Sequence, residues 1–389
     1  MPESLNLDER KALLIPTVYI ITALLLLGYV LLMIYTRGGL DKENSSIQID
    51  RIRDLKLSVV APFRDEEKNL PDFLQSIKKQ DYNKNDFELL MVDDHSSDGG
   101  PGIINRFIAE NDLNVRIIKL EKAEASKKKA IEKGIENATG QIIVTTDADT
   151  LRNEKWLTSI SRHFMSGQTE LLIAPVLLTG TSFTQAFQRM EFNALQYITM
   201  CFAANHNAVL CNGANLAYKK DLFGRMNGFR SNEGISSGDD VFLLFQLKKE
   251  NRNAIAFTVD PNAVVRTEAL TSIFELLNQK IRWASKSIRI DDVSFILLSL
   301  LVICSNIWMI CLLPLELKFH TWPVLSFLYL SVKCIFDYMM IKRIEALHHS
   351  RISPVVFVLS YLLYPFYLAA VFLLSKFKPA TWKGRIVRT

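Results

Sequence analysis

The sequence predicts an α/β domain held between membrane-spanning helices. Three observations lead there: short β-like runs alternate with helical stretches in the polar middle, polar clusters close those runs, and long uncharged stretches collect near the two ends. Runs 57–61, 87–92, 115–119 and 141–146 read as strands, with helices after Pro71, after Pro101 and around Ala130. That alternation predicts a parallel sheet with helices on its faces. Ligands of open α/β sheets bind at the carboxyl ends of the strands. Here those ends carry residues 64–67, 93–98 and 147–149.

The apolar blocks come next. Residues 13–35 form an uncharged run of 23, and 293–315 and 352–375 are similar. About 20 apolar residues suffice to cross a bilayer core, so each is long enough to span. Block 322–341 is weaker, because Lys333 and Asp337 sit inside it one helical turn apart, where opposite charges meet on one face. The first block is too long for a signal peptide and lacks a small-residue cleavage pattern, so it reads as an anchor. More positive charge follows it (Arg37, Lys42, Arg51, Arg53) than precedes it (Arg10, Lys11), which predicts an integral protein of the cytoplasmic membrane whose central segment faces the cytoplasm. The expected division is 1–45 anchor, 46–290 α/β domain and 291–389 membrane region with a basic tail. One conflict follows: if all three later blocks cross, the tail (Lys376, Lys378, Lys383, Arg385, Arg388) ends on the wrong side. Either the Lys333 block does not cross, or the last block turns back near Pro365.

Composition excludes other classes. The five cysteines form neither a CxxC pair nor a Cys/His metal spacing, which argues against a disulfide framework or a zinc site. A net charge of +5 without basic runs interleaved with aromatics gives no support to nucleic acid as a partner, and suits a face resting on anionic lipid.

Several segments carry chemistry. VDDHSSDG (92–99) ends a strand in Asp93 and Asp94; its bland alternative is a turn that caps the next helix. IIVTTDADT (142–150) ends a buried strand in Asp147 and Asp149, with small Ala148 between them. Two carboxylates there suit Mg²⁺ or Mn²⁺, which bind such oxygens together with substrate phosphates. SKKKAIEKG (126–134) sets three lysines at a helix start, where anions are favoured, and at most one can point into a site. SSGDDVFLLFQL (236–247) puts Asp239 and Asp240 before an apolar helix; capping accounts for one of them. NQKIRWASKS (278–287) carries Gln279, Arg282 and Trp283 just before a span, where Arg and Trp also serve as interfacial anchors.

In this order the motifs resemble glycosyltransferase family 2, the inverting enzymes with a GT-A fold, over about residues 56–283. APFRDEEKNL (61–70) is similar to the family's Pro-x-x-Asn-Glu-Glu signature, with Asp65 in place of Asn. The resemblance implies that Pro62, Arg64, Glu66, Asp93 and Asp94 surround the nucleotide, with Asp94 reading the base. It selects Lys127 among the lysines, although Ser126 and Glu132 depart from the family's Gly and Asn. It implies a metal-binding Asp147-x-Asp149, with Asp147 also beside the nucleotide-sugar. It places the catalytic base in the Asp239–Asp240 pair, at Asp240, and likens Gln279, Arg282 and Trp283 to the Gln-x-x-Arg-Trp motif of membrane synthases. The implied activity is transfer of a sugar from a nucleotide-sugar donor, a UDP-sugar by expectation, to a lipid or saccharide acceptor at the bilayer. The alternatives are a processive polysaccharide synthase, disfavoured by the few following spans, and a non-catalytic membrane scaffold, disfavoured by the presence of Asp147, Asp149 and Asp240.

Overall fold

The computed structural model describes residues 7–39, 55–121, 126–226, 228, 239–287, 290–318, 323–348, 351–377, 381–382 and 385–386. Helix α1 (Leu7–Thr36) precedes an alternating half: β1 (Leu57–Phe63), α2 (Leu70–Lys78), β2 (Phe87–Asp93), α3 (Gly100–Glu110), β3 (Val115–Lys119), α4 (Lys127–Asn137) and β4 (Ile142–Thr146). There follow β5 (Leu151–Arg152), α5 (Trp156–Arg162), β6 (Leu171–Ile173), β7 (Val176–Thr179), α6 (Phe183–Ala204), β8 (Asn215–Lys219), α7 (Lys220–Arg225), α8 (Asp239–Asn251), β9 (Ile255–Phe257), β10 (Val265–Glu268) and α9 (Ile273–Ser287). The C-terminal part is α10 (Val293–Lys318), α11 (Val324–His348), α12 (Pro354–Phe377) and a hairpin of β11 (Thr381–Trp382) and β12 (Arg385–Ile386).

The expected strands occur, but the main sheet is mixed rather than parallel. Its seven strands run β3-β2-β1-β4-β8-β6-β9. β1 pairs parallel with β2 and β4, whereas β8 lies antiparallel to both β4 and β6. A smaller sheet, β5-β10-β7, stands beside it. β1 and β2 are buried along their whole length, as central strands covered on both faces must be. Alternate side chains therefore serve two cores. Val59, Ala61, Leu89 and Met91 meet Phe73 and Ile77 of α2 and Ile104 of α3. Val60, Leu90 and Val92 meet Ala130, Ile131 and Ile135 of α4. Close packing of α4 needs Gly134, since a β-carbon there would lie 2.4 Å from Val60 Cγ1.

Four helices are long and apolar enough to cross a membrane: Leu14–Thr36, Val293–Lys318, Val324–His348 and Pro354–Phe377. α1, α10 and α11 pack together. Trp308 Nε1 donates to Thr22 Oγ1 (2.9 Å), Tyr29 meets the Phe336 ring edge-on (5.6 Å), and Tyr329 Oη donates to the Ser305 carbonyl (3.3 Å). Lys333 and Asp337 pair at 2.6 Å, as their spacing predicts. Against the second alternative above, α12 is one continuous helix through Pro365 and does not turn back there. Ile352, at its approach, and Phe357 pack on Met190 of α6, Tyr367 meets Phe187 edge-on at 5.0 Å, and Lys376 lines a cavity with Gln279 and Trp283 of α9. α12 thus packs on α6 and α9 of the α/β domain. Lys42, Arg51, Arg53, Lys378, Lys383 and Arg388, on which the charge expectation rested, lie outside the described residues, as does the side chain of Arg385.

His163, which follows α5, supplies a test of this packing. Burial pushes its imidazole down to about 4, with Asp260 opposing and Arg162 reinforcing the shift. The unfolded chain takes up that proton near pH 6.5, so stability present above this pH is lost as the pH falls from about 6.5 towards 4. His163→Gln should flatten the pH dependence of Tm across that window, by on the order of 3 kcal/mol in unfolding free energy. An unchanged slope would show that His163 is solvated.

Candidate active site

The site begins where β1 and β2 stop. Their register sets Phe63 beside Asp93, so the loops that follow run together. Asp65 takes a left-handed conformation (φ 51°), which Asp and Asn tolerate better than most residues. Its Oδ1 accepts from Ser97 N (2.7 Å) and Ser97 Oγ (3.0 Å), and its own N–H donates to Ser96 Oγ (3.2 Å). The Ser97 amide is the main reason its carboxyl lies below the usual range. Glu67 N donates to Asp98 Oδ2 (2.8 Å), and Gly99 N to Glu67 Oε2 (3.0 Å). Either Asp or Asn can supply this acceptor, which gives the departure at residue 65 a physical reason.

Asp93 and Asp94 are both buried. Asp93 Oδ1 accepts from Ser96 N (2.8 Å), forming the turn, and Asp94 Oδ1 lies 3.1 Å from His95 Nδ1. Pro62 is buried inside β1, and Arg64 is half-buried beside Asp65.

The next edge is β4. Ala148 is buried, which leaves Asp147 half-buried and Asp149 open to the cleft. The turn is tied from beneath: Thr150 Oγ1 donates to the Asp147 carbonyl (2.6 Å) and Arg152 Nη2 donates to Thr150 O (2.6 Å). Arg152 itself stacks on Phe73 (4.3 Å) and Trp156 (4.9 Å), and burial lowers its guanidinium to about 9. Lys127 Nζ reaches Asp147 Oδ1 at 2.5 Å, whereas Lys129 pairs with Glu132 and Lys128 is buried. Protein around Asp149 withdraws it from bulk water, and Asp147 and then Glu66 add like charge; together these raise its carboxyl to about 6.

Among the described residues no group of three or more His, Cys, Asp or Glu converges as a metal cage. Asp147 and Asp149 nevertheless fit Mg²⁺ or Mn²⁺, which need only one or two protein carboxylates when phosphate oxygens complete the shell. The mutual repulsion that raises Asp149 is what a bound cation relieves.

β8 delivers the other wall. Thr146 lies opposite Asn215, so residues 212–214 sit beside the Asp147 turn. Asp240, in the first turn of α8, accepts from Gly213 N (Oδ2, 2.8 Å) and Val241 N (Oδ1, 2.9 Å). The side chain of Asp239 and residues 229–238 lie outside the described residues. α9 adds Gln279, Arg282 and Trp283. A cavity of about 930 Å³ joins Lys127, Asp147, Asp149 and Asp240 to these three. It continues between Leu300 and Ile303 of α10 and Leu368 and Phe372 of α12. Pro62, Arg64, Glu66, Asp93 and Asp94 flank it at the same sheet edge without lining it.

Sequence reasoning missed Glu191 on α6 and Lys280 on α9. They pair at 2.6 Å, and the Lys280 ammonium lies 4.2 Å over the Trp283 ring. Lys280 lies within the quoted 278–287 segment, and Glu191 is a lone acid on a mostly apolar helix. Thr267, whose Oγ1 donates to Asp149 Oδ2 (3.3 Å), carried no signal.

Residues 58–226 match the profile of Glycosyl transferase family 2. The chain contains a family 2 domain. The chain is 28% identical over 119 residues to the poly(ribitol-phosphate) β-N-acetylglucosaminyltransferase TarS of Staphylococcus aureus, covering 31% of this chain and 20% of that protein. It is 32% identical over 101 residues to the glycosyltransferase AglE of Haloferax volcanii (26% and 33% covered). It is 26% identical over 125 residues to the dodecaprenyl-phosphate galacturonate synthase of Rhizobium johnstonii (32% and 37% covered). The chain thus spans about a fifth to a third of the length of these relatives. Among solved structures, the mannosyltransferase PcManGT of Pyrobaculum calidifontis, in complex with GDP-Man and Mn²⁺, matches with a TM-score of 0.61 and 18% identity over 92% of this chain and 98% of that one. The family 2 domain has the GT-A fold, with apolar helices at both ends.

The loop staple is testable. Asp65→Ala removes an acceptor and a residue suited to the left-handed backbone, and should speed amide exchange at Ser97 about tenfold, as loss of a hydrogen bond of ~1.4 kcal/mol does. Asp65→Asn should stay within about threefold. Equal exchange in the two variants would show that the loops hold together without residue 65.

Proposed function

We propose that the protein is an inverting, metal-dependent glycosyltransferase that moves one sugar from a nucleotide-sugar, with a UDP-sugar as first candidate, to a lipid or lipid-linked saccharide in the bilayer. The observation that carries this is the cavity itself: one continuous space runs from the carboxylates at the sheet edge to apolar residues of α10 and α12. An acceptor can present its head group without leaving the lipid. Relatives named for poly(ribitol-phosphate) and dodecaprenyl-phosphate lend support to an acceptor class at or near membranes, and the GDP-Man and Mn²⁺ of PcManGT to the donor class and the metal.

In the proposed reaction an acceptor oxygen attacks the anomeric carbon as the bond from that carbon to the diphosphate oxygen breaks, so the configuration inverts. Asp240, whose two oxygens are oriented by the amides of Gly213 and Val241, takes the acceptor's proton. Arg282 lies in the cavity where a planar guanidinium can meet the departing diphosphate. Trp283 offers a flat face for a sugar ring. Lys127 holds Asp147 in place. A divalent cation at Asp147 and Asp149 would neutralise the leaving group's charge. The loops at 64–67 and 93–99 are assigned to the nucleotide, and the catalytic face to the cytoplasm.

A nucleotide-release assay with membrane lipids as acceptors tests the proposal. Excess chelator should abolish turnover, and so should Asp149→Ala. Asp240→Asn should keep donor binding and lose transfer by at least about a hundredfold, the lower range for a general base. Full activity in chelator would remove the metal from the mechanism. Near-normal turnover of Asp240→Asn alongside a dead Asp239→Asn would move the base to Asp239. A long water-soluble polymer as product would establish the processive synthase instead.

A further inference from the structure

We propose that the group which accepts the sugar is an uncharged lipid hydroxyl and not a lipid phosphate; this rests on the assignment of the chain as a glycosyltransferase with a membrane acceptor. The basis is the charge balance along the cavity. Each lysine between the sheet edge and the membrane helices is already held by a carboxylate. Lys127 is bound to Asp147 at 2.5 Å, Lys280 to Glu191 at 2.6 Å and Lys333 to Asp337 at 2.6 Å. The Lys280 and Glu191 side chains are each only 9% exposed, so water does little to loosen that pair.

The cavity is lined, among the described residues, by six carboxylates against five basic side chains. A nucleoside diphosphate adds further negative charge, which a divalent cation at Asp147 and Asp149 would at most offset. The remaining bases are Arg282, on the donor side, and Lys376, whose ammonium lies over the Phe372 ring at 4.5 Å near the end of α12. A lipid phosphate in this cavity would therefore bring one or two negative charges among Asp240, Glu268 and the other carboxylates, with Lys280 already paired to Glu191. Apolar surroundings sharpen this repulsion, because few waters are present to screen it.

A hydroxyl brings no charge and suits the groups present. Its oxygen forms the new bond to the anomeric carbon, the electron pair of the broken bond leaves with the nucleoside diphosphate, and its proton passes to the Asp240 carboxylate. A phosphate oxygen is already ionised and has no use for that base. Glu191 is then a specificity-determining residue: it cancels Lys280 while leaving the lysine's ammonium under the Trp283 ring.

The test uses the full chain in phospholipid nanodiscs, with the donor chosen by nucleotide release. The acceptors are a matched pair, a long-chain polyprenol and its phosphate, together with dioleoylglycerol and a long-chain ceramide; products are read by mass spectrometry. We expect at least one of the three hydroxyl lipids to be glycosylated about tenfold or more faster than the polyprenyl phosphate. Glu191→Gln, which leaves Lys280 uncancelled, should move the phosphate-to-hydroxyl ratio at least about tenfold towards phosphate. Adding Lys280→Met to that variant should restore the ratio. A wild-type preference for the phosphate overturns the proposal while sparing the lipid-acceptor assignment. Equal losses on both acceptor types in Glu191→Gln, with an unmoved ratio, also overturn it, since a merely structural pair would behave that way. Transfer to a soluble saccharide with every lipid inert removes the lipid-acceptor assignment itself.

Discussion

Where β4 ends, β8 begins: Thr146 faces Asn215 across an antiparallel pair, and the rest of the site hangs on that register. A parallel β8 would send residues 212–214 to the far end of the sheet. Antiparallel pairing instead brings Gly213 alongside the Asp147 turn, and Gly213 N then fixes Asp240. Asn215 secures the arrangement, since it is fully buried and its amide is used on both sides. Nδ2 donates to the carbonyls of Pro175 (2.7 Å) and Ala263 (2.8 Å), while Oδ1 accepts from Trp156 Nε1 (3.1 Å). One side chain thereby joins the main sheet to the chain just before β10 and to α5, whose Trp156 also supports Arg152 beneath the turn of residues 147–150.

The electrostatics follow from this crowding. Asp147, Asp149 and Glu66 converge because β1 and β4, paired in parallel, end at one sheet edge, and burial first and then the charges of Asp147 and Glu66 raise the carboxyl of Asp149. Lys127 offsets part of it through Asp147. Such a cluster destabilises the ligand-free fold locally, so it persists only because buried anchors such as Arg152 and Ala148 hold the turn.

What was legible in the sequence was local. Strands β1 to β4 announce themselves by compact apolar runs, and the acidic residues that close them mark the ligand edge, because a strand's end and its neighbours in sequence coincide. Lys127 was separable from Lys128 and Lys129 by resemblance, and the helix geometry gives the reason: only its ammonium reaches Asp147. The direction of β8 was not legible, since five residues of period-2 pattern do not state which way a strand runs in a sheet. Glu191 and Lys280 lie 89 positions apart and meet only through the docking of α6 against α9.

The C-terminal helices close over the α/β domain in sequence. α10 leaves the domain at Ser294, which accepts from Asn207 Nδ2 (2.9 Å), and α11 returns to it where Ile341 packs near Met190. α12 starts at that return point and ends with Lys376 in the lining of the cavity that also holds Gln279 and Trp283. Its exposed apolar residues Val355, Leu359, Leu362, Phe366 and Leu373 recur at helical spacing, as expected of a helix with one face in lipid. α12 is therefore long and apolar enough to cross a membrane and, through Leu368, Phe372 and Lys376, also a wall of the cavity that holds Asp240 and Trp283.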